Sequence, residues 1–191
     1  MTKFNVFIIA LGLLAALAGE ARAEDVVALA QRAKAQAAAG QNMDALETLR
    51  EAYYEIADKM PLGFRRSVFV AEKAAGFGMM KPRADNVFKP GEVILIYLEP
   101  VGFGWRKVDG VNNSVLTADF DIQTPDGKIL AGQKKFGRFA LSSQDRNIEY
   151  MMHLTYNFTG LPEGEFIVST VFHDEVSGKN ATQNMKFVIR K

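Results

Sequence analysis

The sequence GEFIVSTVFHD, which spans residues 164–174, decides the fold of this 191-residue chain. One set of its side chains recurs at every second position, the spacing of one face of a β-strand. That set is Phe166, Val168, Thr170 and Phe172. Turn sequences bound the stretch, with Leu161–Gly164 before it and Ser177–Lys179 after it. The pattern therefore predicts a β-strand between two tight turns.

The same two-residue period recurs through the chain from about Ser67. A strong turn signal at Thr124–Gly127 contains the Asp-Gly pair that favours hairpins. About seven short strands separated by turns are typical of a β-sandwich or barrel. The remaining predicted strands are Ser67–Ala71, Val93–Glu99, Val115–Gln123, Lys128–Phe136, Arg138–Leu141, Ile148–Phe158 and Met185–Ile189.

The closing region, residues 161–189, resembles the end of secreted immunoglobulin-like modules. In fibronectin type III and PKD-like domains the penultimate strand shows this alternation from glycine to aspartate, here from Gly164 to Asp174. The resemblance implies a fold and carries no activity with it. We therefore expect a mainly β chain whose residues 64–191 form an immunoglobulin-like antiparallel sandwich of about seven strands.

Residues 24–63 predict a helical hairpin ahead of the sandwich. Two runs of good helix formers are separated by Gly40, and Pro61 ends the second run. The second run carries an apolar stripe at three- and four-residue steps, which is typical of a helix face that packs. We expect the hairpin to pack against the following domain. The stripe consists of Met43, Leu46, Leu49, Tyr53 and Ile56.

The hairpin, over residues 29–60, also resembles a single tetratricopeptide repeat. Ala33, Gly40, Ala45 and Ala52 fall at that repeat's small-residue positions, and Asn42 stands where the repeat has a large aromatic side chain. Arrays of such repeats need about three units to be stable. The resemblance therefore implies a hairpin that packs on the sandwich rather than a peptide-binding array.

Residues 1–23 predict a cleaved secretory signal peptide. A basic start at Lys3 precedes the uncharged apolar run Phe4–Gly19, and the small-x-small sequence Ala21–Ala23 follows it. That run is shorter than the roughly 20 residues that span a bilayer. We expect cleavage after Ala23, a periplasmic or secreted location, and no membrane insertion of the mature chain.

Charge and composition argue against several classes of protein. Without residues 1–23 the chain has 21 basic and 21 acidic side chains, which disfavours a general nucleic-acid binder. Without cysteine it has neither thiol catalysis nor cysteine metal sites. The nucleophile motif of serine hydrolases and the glycine-rich phosphate loops do not occur in it. We expect a protein that is not an enzyme.

One loop has the composition of a binding site. A buried-looking strand ends in Glu99, and a glycine-spaced loop then carries Phe103, the only tryptophan (Trp105) and Arg106. Aromatic rings beside a carboxylate and a guanidinium can hold a peptide or a small ligand. The alternative is that Trp105 closes the end of the core and that Glu99 pairs with Arg106.

A copper site is the second candidate. Met151 and His153 alternate onto the outward face of one strand, and His173, the only other histidine, lies outward on the next strand but one or on its neighbour. Methionine sulfur and imidazole suit copper in an oxidising compartment. A short turn at residues 159–164 links the two strands, so pairing between them would bring the histidines together.

These observations predict an exported, non-catalytic binding or scaffolding module of the cell envelope. Its expected partner is another envelope protein or a small ligand, with no nucleic acid and no cofactor. The alternative is a periplasmic carrier of a small ligand or of copper.

Overall fold

The computed structural model describes residues 25–191, so the predicted signal peptide lies outside the described residues. Two helices come first, α1 (Val26–Ala38) and α2 (Asn42–Lys59). Asp25 caps α1 by accepting a hydrogen bond from the amide of Val27, and Gly40 turns the chain with a φ of 78°. No helix within these residues is long and apolar enough to cross a membrane.

Nine strands follow the helices within the described residues. Two of them, β2 and β4, have only two and three residues, which leaves seven longer strands. The nine are β1 (Gly63–Val70), β2 (Val87–Phe88), β3 (Ile94–Val101), β4 (Arg106–Val108), β5 (Val111–Gln123), β6 (Ile129–Ser143), β7 (Met152–Tyr156), β8 (Gly164–Asp174) and β9 (Asn180–Ile189).

The strands form two sheets that face each other. One sheet has the order β1-β3-β7, and the other has the order β2-β9-β8-β5-β4, with β6 also paired to β5. The last strand, the penultimate strand and β5 are therefore neighbours, as in immunoglobulin-like sandwiches. The predicted mainly β fold with an N-terminal helical hairpin is confirmed. One pair departs from the antiparallel expectation, because β2 runs parallel to β9.

A dry core of large side chains fills the space between the sheets. The predicted alternation of β8 is confirmed, since Phe166, Val168 and Phe172 all face inward. Tyr156 is also buried there, and its hydroxyl group lies 2.6 Å from that of Thr170. The three-stranded sheet contributes Ile94, Ile96, Leu98, Met152, Leu154 and Tyr156, and the other contributes Leu116, Ala118, Ile122, Phe166, Val168, Phe172, Phe187 and Ile189.

Strand β6 is long and lies at an edge. Residues 128–136 and 138–141, which the sequence suggests as two strands, belong to this single bulged strand. Its register with β5 breaks between Ala118 and Phe120, and Lys135 adopts a left-handed φ of 52° there. The carboxylate of Asp119 accepts a hydrogen bond from the amide of Lys135 at 2.7 Å. No other described strand pairs with the far edge of β6.

The hairpin packs internally through small side chains rather than large ones. The buried residues of α2 are Ala45, Thr48, Ala52 and Ala57, and those of α1 are Leu29 and Ala33. The apolar stripe of α2, expected to pack, is largely exposed instead. Alanines bring the two helix backbones close together, which leaves the longer neighbouring side chains outside the seam.

Polar contacts join the hairpin to the sandwich. The hydroxyl group of Tyr54 donates to the carbonyl of Arg146, whose guanidinium pairs with Asp58 and lies 4.0 Å from the centre of the Tyr54 ring. Lys179 bridges the carbonyls of Asp58 and Gly102 with two hydrogen bonds of 2.9 Å. The C-terminal half of α2 is therefore held on the sandwich by hydrogen bonds and ion pairs.

Candidate functional site

The loop that follows β3 is held from two sides. Gly102 has a φ of 75°, and a Cβ atom there would lie 2.4 Å from the carbonyl oxygen of Pro61 at the end of the hairpin. A Cβ atom on Gly104 would lie 2.9 Å from the side chain of Ser177. These two glycines let the loop fit between the hairpin and the turn after β8, so the loop is a packed junction.

The buried carboxylate of Asp174 accepts a hydrogen bond from the backbone of the same loop. It accepts hydrogen bonds from the amides of Gly104, at 2.5 Å, and Val176, at 2.9 Å. The amide and hydroxyl groups of Ser177 donate to it as well. Two separate segments thus share one carboxylate, whose burial is compensated by these donors.

The four residues of the predicted binding loop do not form one cluster. Phe103 is buried in the core, and Trp105 is half-buried against it, with ring centres 5.6 Å apart. Arg106 is exposed on β4 and has no ion-pair partner among the described residues. Glu99 faces the opposite side of the three-stranded sheet and does not pair with Arg106, so the suggested rim pair is wrong.

Tyr150 completes the aromatic group at this end of the core. Its ring centre lies 5.4 Å from that of Phe103, and burial raises the pKa of Tyr150 to about 12. The aromatic side chains of the loop therefore pack with one another against the end of the core, where Trp105 and Tyr150 stay partly exposed.

Glu99 instead forms the centre of an ion cluster. The side chain is only 1% exposed. One carboxylate oxygen accepts a hydrogen bond from Nε of Arg65 at 2.8 Å and forms an ion pair with Nη2 of the same side chain at 2.6 Å. The other oxygen accepts a hydrogen bond from the Tyr97 hydroxyl at 2.8 Å and lies 3.8 Å from Nε of Arg66. Burial is the main cause of a raised pKa at Tyr97. Such partners offset the cost of burying a carboxylate.

A β-bulge explains why two consecutive arginines reach the same carboxylate. Phe64 lies opposite Pro100 and Arg66 lies opposite Glu99, so Arg65 is an extra residue in β1. Phe64 consequently packs inward, with its ring centre 4.7 Å from that of Phe172. Bulges re-aim side chains in this way and are frequent next to functional sites.

The segment between β1 and β2 covers this outer face. The amide of Gly78 donates to the Tyr97 hydroxyl at 2.8 Å, and the ring of Phe77 lies 4.9 Å from the Arg65 guanidinium. Arg65, Glu99 and Phe77 line a recess of about 190 Å³ together with Tyr53 of α2. The other lining residues are Pro100, Val101, Ile148 and Glu149.

The two histidines lie in different sheets. His153 is on β7 in the three-stranded sheet and His173 is on β8 in the other, so these strands do not pair in the way that would bring the histidines together. Residues 157–163 cross from one sheet to the other instead of closing a hairpin. Met151 precedes β7. Within residues 25–191 no three His, Cys, Asp or Glu side chains are grouped as metal ligands.

Both histidines also have protein partners. Nε2 of His153 accepts the amide of Ala74 at 2.8 Å, and burial, followed by the charge of Lys73, lowers the pKa of His153. His173 lies 2.6 Å from the side chain of Asn180 and 3.2 Å from that of Asp119. Each histidine therefore has its own hydrogen-bond partners within the protein, and the two histidines share none of them.

The hairpin presents the other prominent surface. A groove of about 430 Å³ runs between the helices, walled by Ala30, Ala33 and Ala37 of α1 and by Leu46 and Leu49 of α2. Large apolar side chains are half exposed or more there and elsewhere on the hairpin. They are Met43 (70%), Val27 (62%), Leu46 (55%), Ile56 (54%) and Leu49 (50%).

No protein-family model matches the chain, and no curated protein sequence is significantly similar to it. Solved structures give low scores. An alkylpurine DNA glycosylase from Pseudomonas fluorescens, AlkC, solved with DNA containing an abasic site analog, matches 79% of this chain at 11% identity and a TM-score of 0.38. This chain spans only 39% of the glycosylase.

Two smaller proteins are matched over most of their own length. The match to CopC from Methylosinus trichosporium covers 65% of this chain and 93% of CopC, with 15% identity and a TM-score of 0.32. An immunoglobulin-like protein from Pseudomonas aeruginosa is covered to 94% by 69% of this chain, with 14% identity and a TM-score of 0.30. At these scores the likenesses carry no inference about activity or ligands.

Proposed function

We propose that this protein is an exported, non-catalytic binding module of the cell envelope that docks an amphipathic helix of a partner protein onto its helical hairpin. The supporting observation is the groove between α1 and α2, where Leu46 and Leu49 stay at least half exposed beside a floor of alanines. Large apolar side chains clustered on a surface are typical of interaction sites.

The groove suits a helix better than an extended strand or a flat surface. Its α1 wall consists of Ala30, Ala33 and Ala37, whose small side chains allow the backbone of a third helix to approach closely. Lys34 and Asn42 supply the polar rim. Helix-in-groove recognition uses apolar anchors at three- and four-residue steps against such a surface. The sandwich then serves as a rigid base that holds the hairpin.

The decisive experiment places a photo-crosslinking amino acid at Leu46 in intact cells. We expect a defined partner to be captured there and not from Ile129, an exposed apolar residue of β6 that serves as the matched control. Leu49→Asp should abolish capture at Leu46 while the circular dichroism spectrum and melting temperature stay unchanged. Equal capture from Ile129, capture that survives Leu49→Asp, or capture of a second copy of the chain contradicts the proposal.

Export is tested separately. We expect the protein in the periplasmic or secreted fraction to have a mass that begins at Glu24, after cleavage at Ala23. Deletion of residues 2–23 should leave the protein in the cytoplasm. Recovery of protein that retains residues 1–23 from the envelope fraction, at full yield, would refute cleavage.

A further inference from the structure

We infer that the recess beside Glu99 is a second binding site, which takes a small zwitterion of the α-amino acid class. This inference is independent of the groove between the helices, because the recess lies where α2, the covering segment and the three-stranded sheet meet. It is lined by Tyr53, Arg65, Phe77, Glu99 and Glu149, with apolar residues between them.

Arg65 is fixed as a receptor for an anion. Its Nε and Nη2 atoms both point to one oxygen of Glu99, and Phe77 lies against its guanidinium. Nη1 of Arg65 has no hydrogen-bond partner among the described residues. The side chain is 55% exposed, so a ligand can reach this donor. A guanidinium held by a buried carboxylate loses little side-chain entropy when it binds a second carboxylate, so its donors are ready for one.

Glu149 supplies the opposite charge. It is exposed, lines the recess and has no ion-pair partner among the described residues. Glu99 is less suited to this role, because it is only 1% exposed and both of its oxygens already accept a hydrogen bond. The recess therefore offers one positive and one negative group that are available to a ligand.

These two groups select the ligand's charge. A simple anion would be attracted by Arg65 and repelled by Glu149. A simple cation would be attracted by Glu149 and repelled by Arg65. A ligand with both charges satisfies both groups. The volume of about 190 Å³ is below the range of about 300–1,000 Å³ usual for drug-sized ligands, which limits the ligand to a small molecule. Tyr53, Phe77 and Ile148 would contact its apolar part.

Isothermal titration of the purified chain with glycine, alanine, serine and valine tests the site. Isovalerate and isobutylamine are the matched probes, because each keeps the apolar part of valine and only one of its charges. We expect at least one amino acid to bind with a Kd of about 1 mM or lower, and both single-charge probes to bind at least about tenfold more weakly than valine. Absence of binding by all four amino acids, or an equal affinity for a single-charge probe, overturns the inference.

Variants place the binding in the recess. Glu149→Gln should weaken the binding of the amino acid by about tenfold, because the substitution removes one charge at an exposed position and leaves the fold intact. Glu165→Gln, at an exposed carboxylate of β8 outside the recess, is the matched control and should leave the affinity unchanged. An equal affinity in Glu149→Gln and the natural protein overturns the assignment. Failure here leaves the crosslinking result at Leu46 unaffected, so the two proposals fail separately.

Discussion

The sandwich and the hairpin use apolar side chains in opposite ways. The sandwich buries large apolar residues, among them Phe172 and Leu98, between two sheets. The hairpin joins its helices through alanines and leaves Leu46 and Leu49 at the surface. Both regions carry a regular apolar pattern, yet only one of them is a closed core. The difference shows that a regular spacing of apolar residues identifies the apolar face of a helix or strand, but does not show what covers that face.

The largest expected effect breaks the closed core. Phe172→Ala should lower the free energy of unfolding by about 4 kcal/mol, because it leaves a cavity where Phe64 and Phe172 pack. Leu46→Ala in the hairpin should change it by about 0.5 kcal/mol or less, since more than half of this side chain is already exposed. Urea unfolding measures both. Similar losses in the two variants would show that the groove is covered in the isolated chain.

The next effect concerns the junction between the two regions. Gly102→Ala should cost about 3 kcal/mol, because a left-handed φ and a close approach to Pro61 both exclude a Cβ atom. Gly40→Ala is the matched control, with a similar φ of 78° and open space around it, and it should cost about 1 kcal/mol. Equal losses in urea unfolding would mean that the loop does not press against the hairpin end.

Trp105→Ala separates packing from binding in the loop after β3. The half-buried ring contacts Phe103, so we expect a loss of about 2 kcal/mol, less than for a fully buried aromatic side chain. We also expect capture by the crosslinker at Leu46 to persist. If the melting temperature stays within a few degrees of that of the natural protein and partner capture is lost, the loop is a binding site, as its composition suggests.

The smallest effect is a pH dependence on the outer face of the sandwich. The amide of Lys135, the ammonium of Lys134 and the ring of His173 lower the pKa of Asp119 from its usual 3.8 to about 2. A lowered pKa stabilises the folded state above about pH 4, and that contribution disappears as the pH falls towards 2. Asp119→Asn should flatten the stability between pH 4 and 2, by less than about 1 kcal/mol because Lys134 is exposed. An unchanged slope in acid unfolding would contradict this.

The alternation of side chains was enough to predict most of the sandwich. Residues 115–123 and 164–174 fall in strands β5 and β8 as predicted, because each has one face in a core and the other in water. The two short strands β2 and β4 carry too few residues to show a period. The crossing at residues 157–163 was also missed, since a short connection can either close a hairpin or change sheets.

The candidate sites could be predicted only in part. Glu99 was identified because a carboxylate ends an apolar strand, and the structure shows that this carboxylate is buried. Its partners Arg65 and Arg66 were missed, because a bulge reverses the alternation at a position that strand periodicity does not reveal. The adjacent pair of arginines before a strand was the only available hint. The exposure of Leu46 and Leu49 depends on the alanine seam, which helical periodicity alone does not reveal.

The bulge at Lys135 has a consequence for the solubility of the whole molecule. Strand β6 runs for 15 residues along the border of its sheet, where free amides and carbonyls could template fibre growth. The kink and the neighbouring Lys134 divide this row into two short pieces and place charge between them. A foreign strand therefore cannot pair in register along the full length of β6, which disfavours edge-to-edge association with a neighbouring molecule.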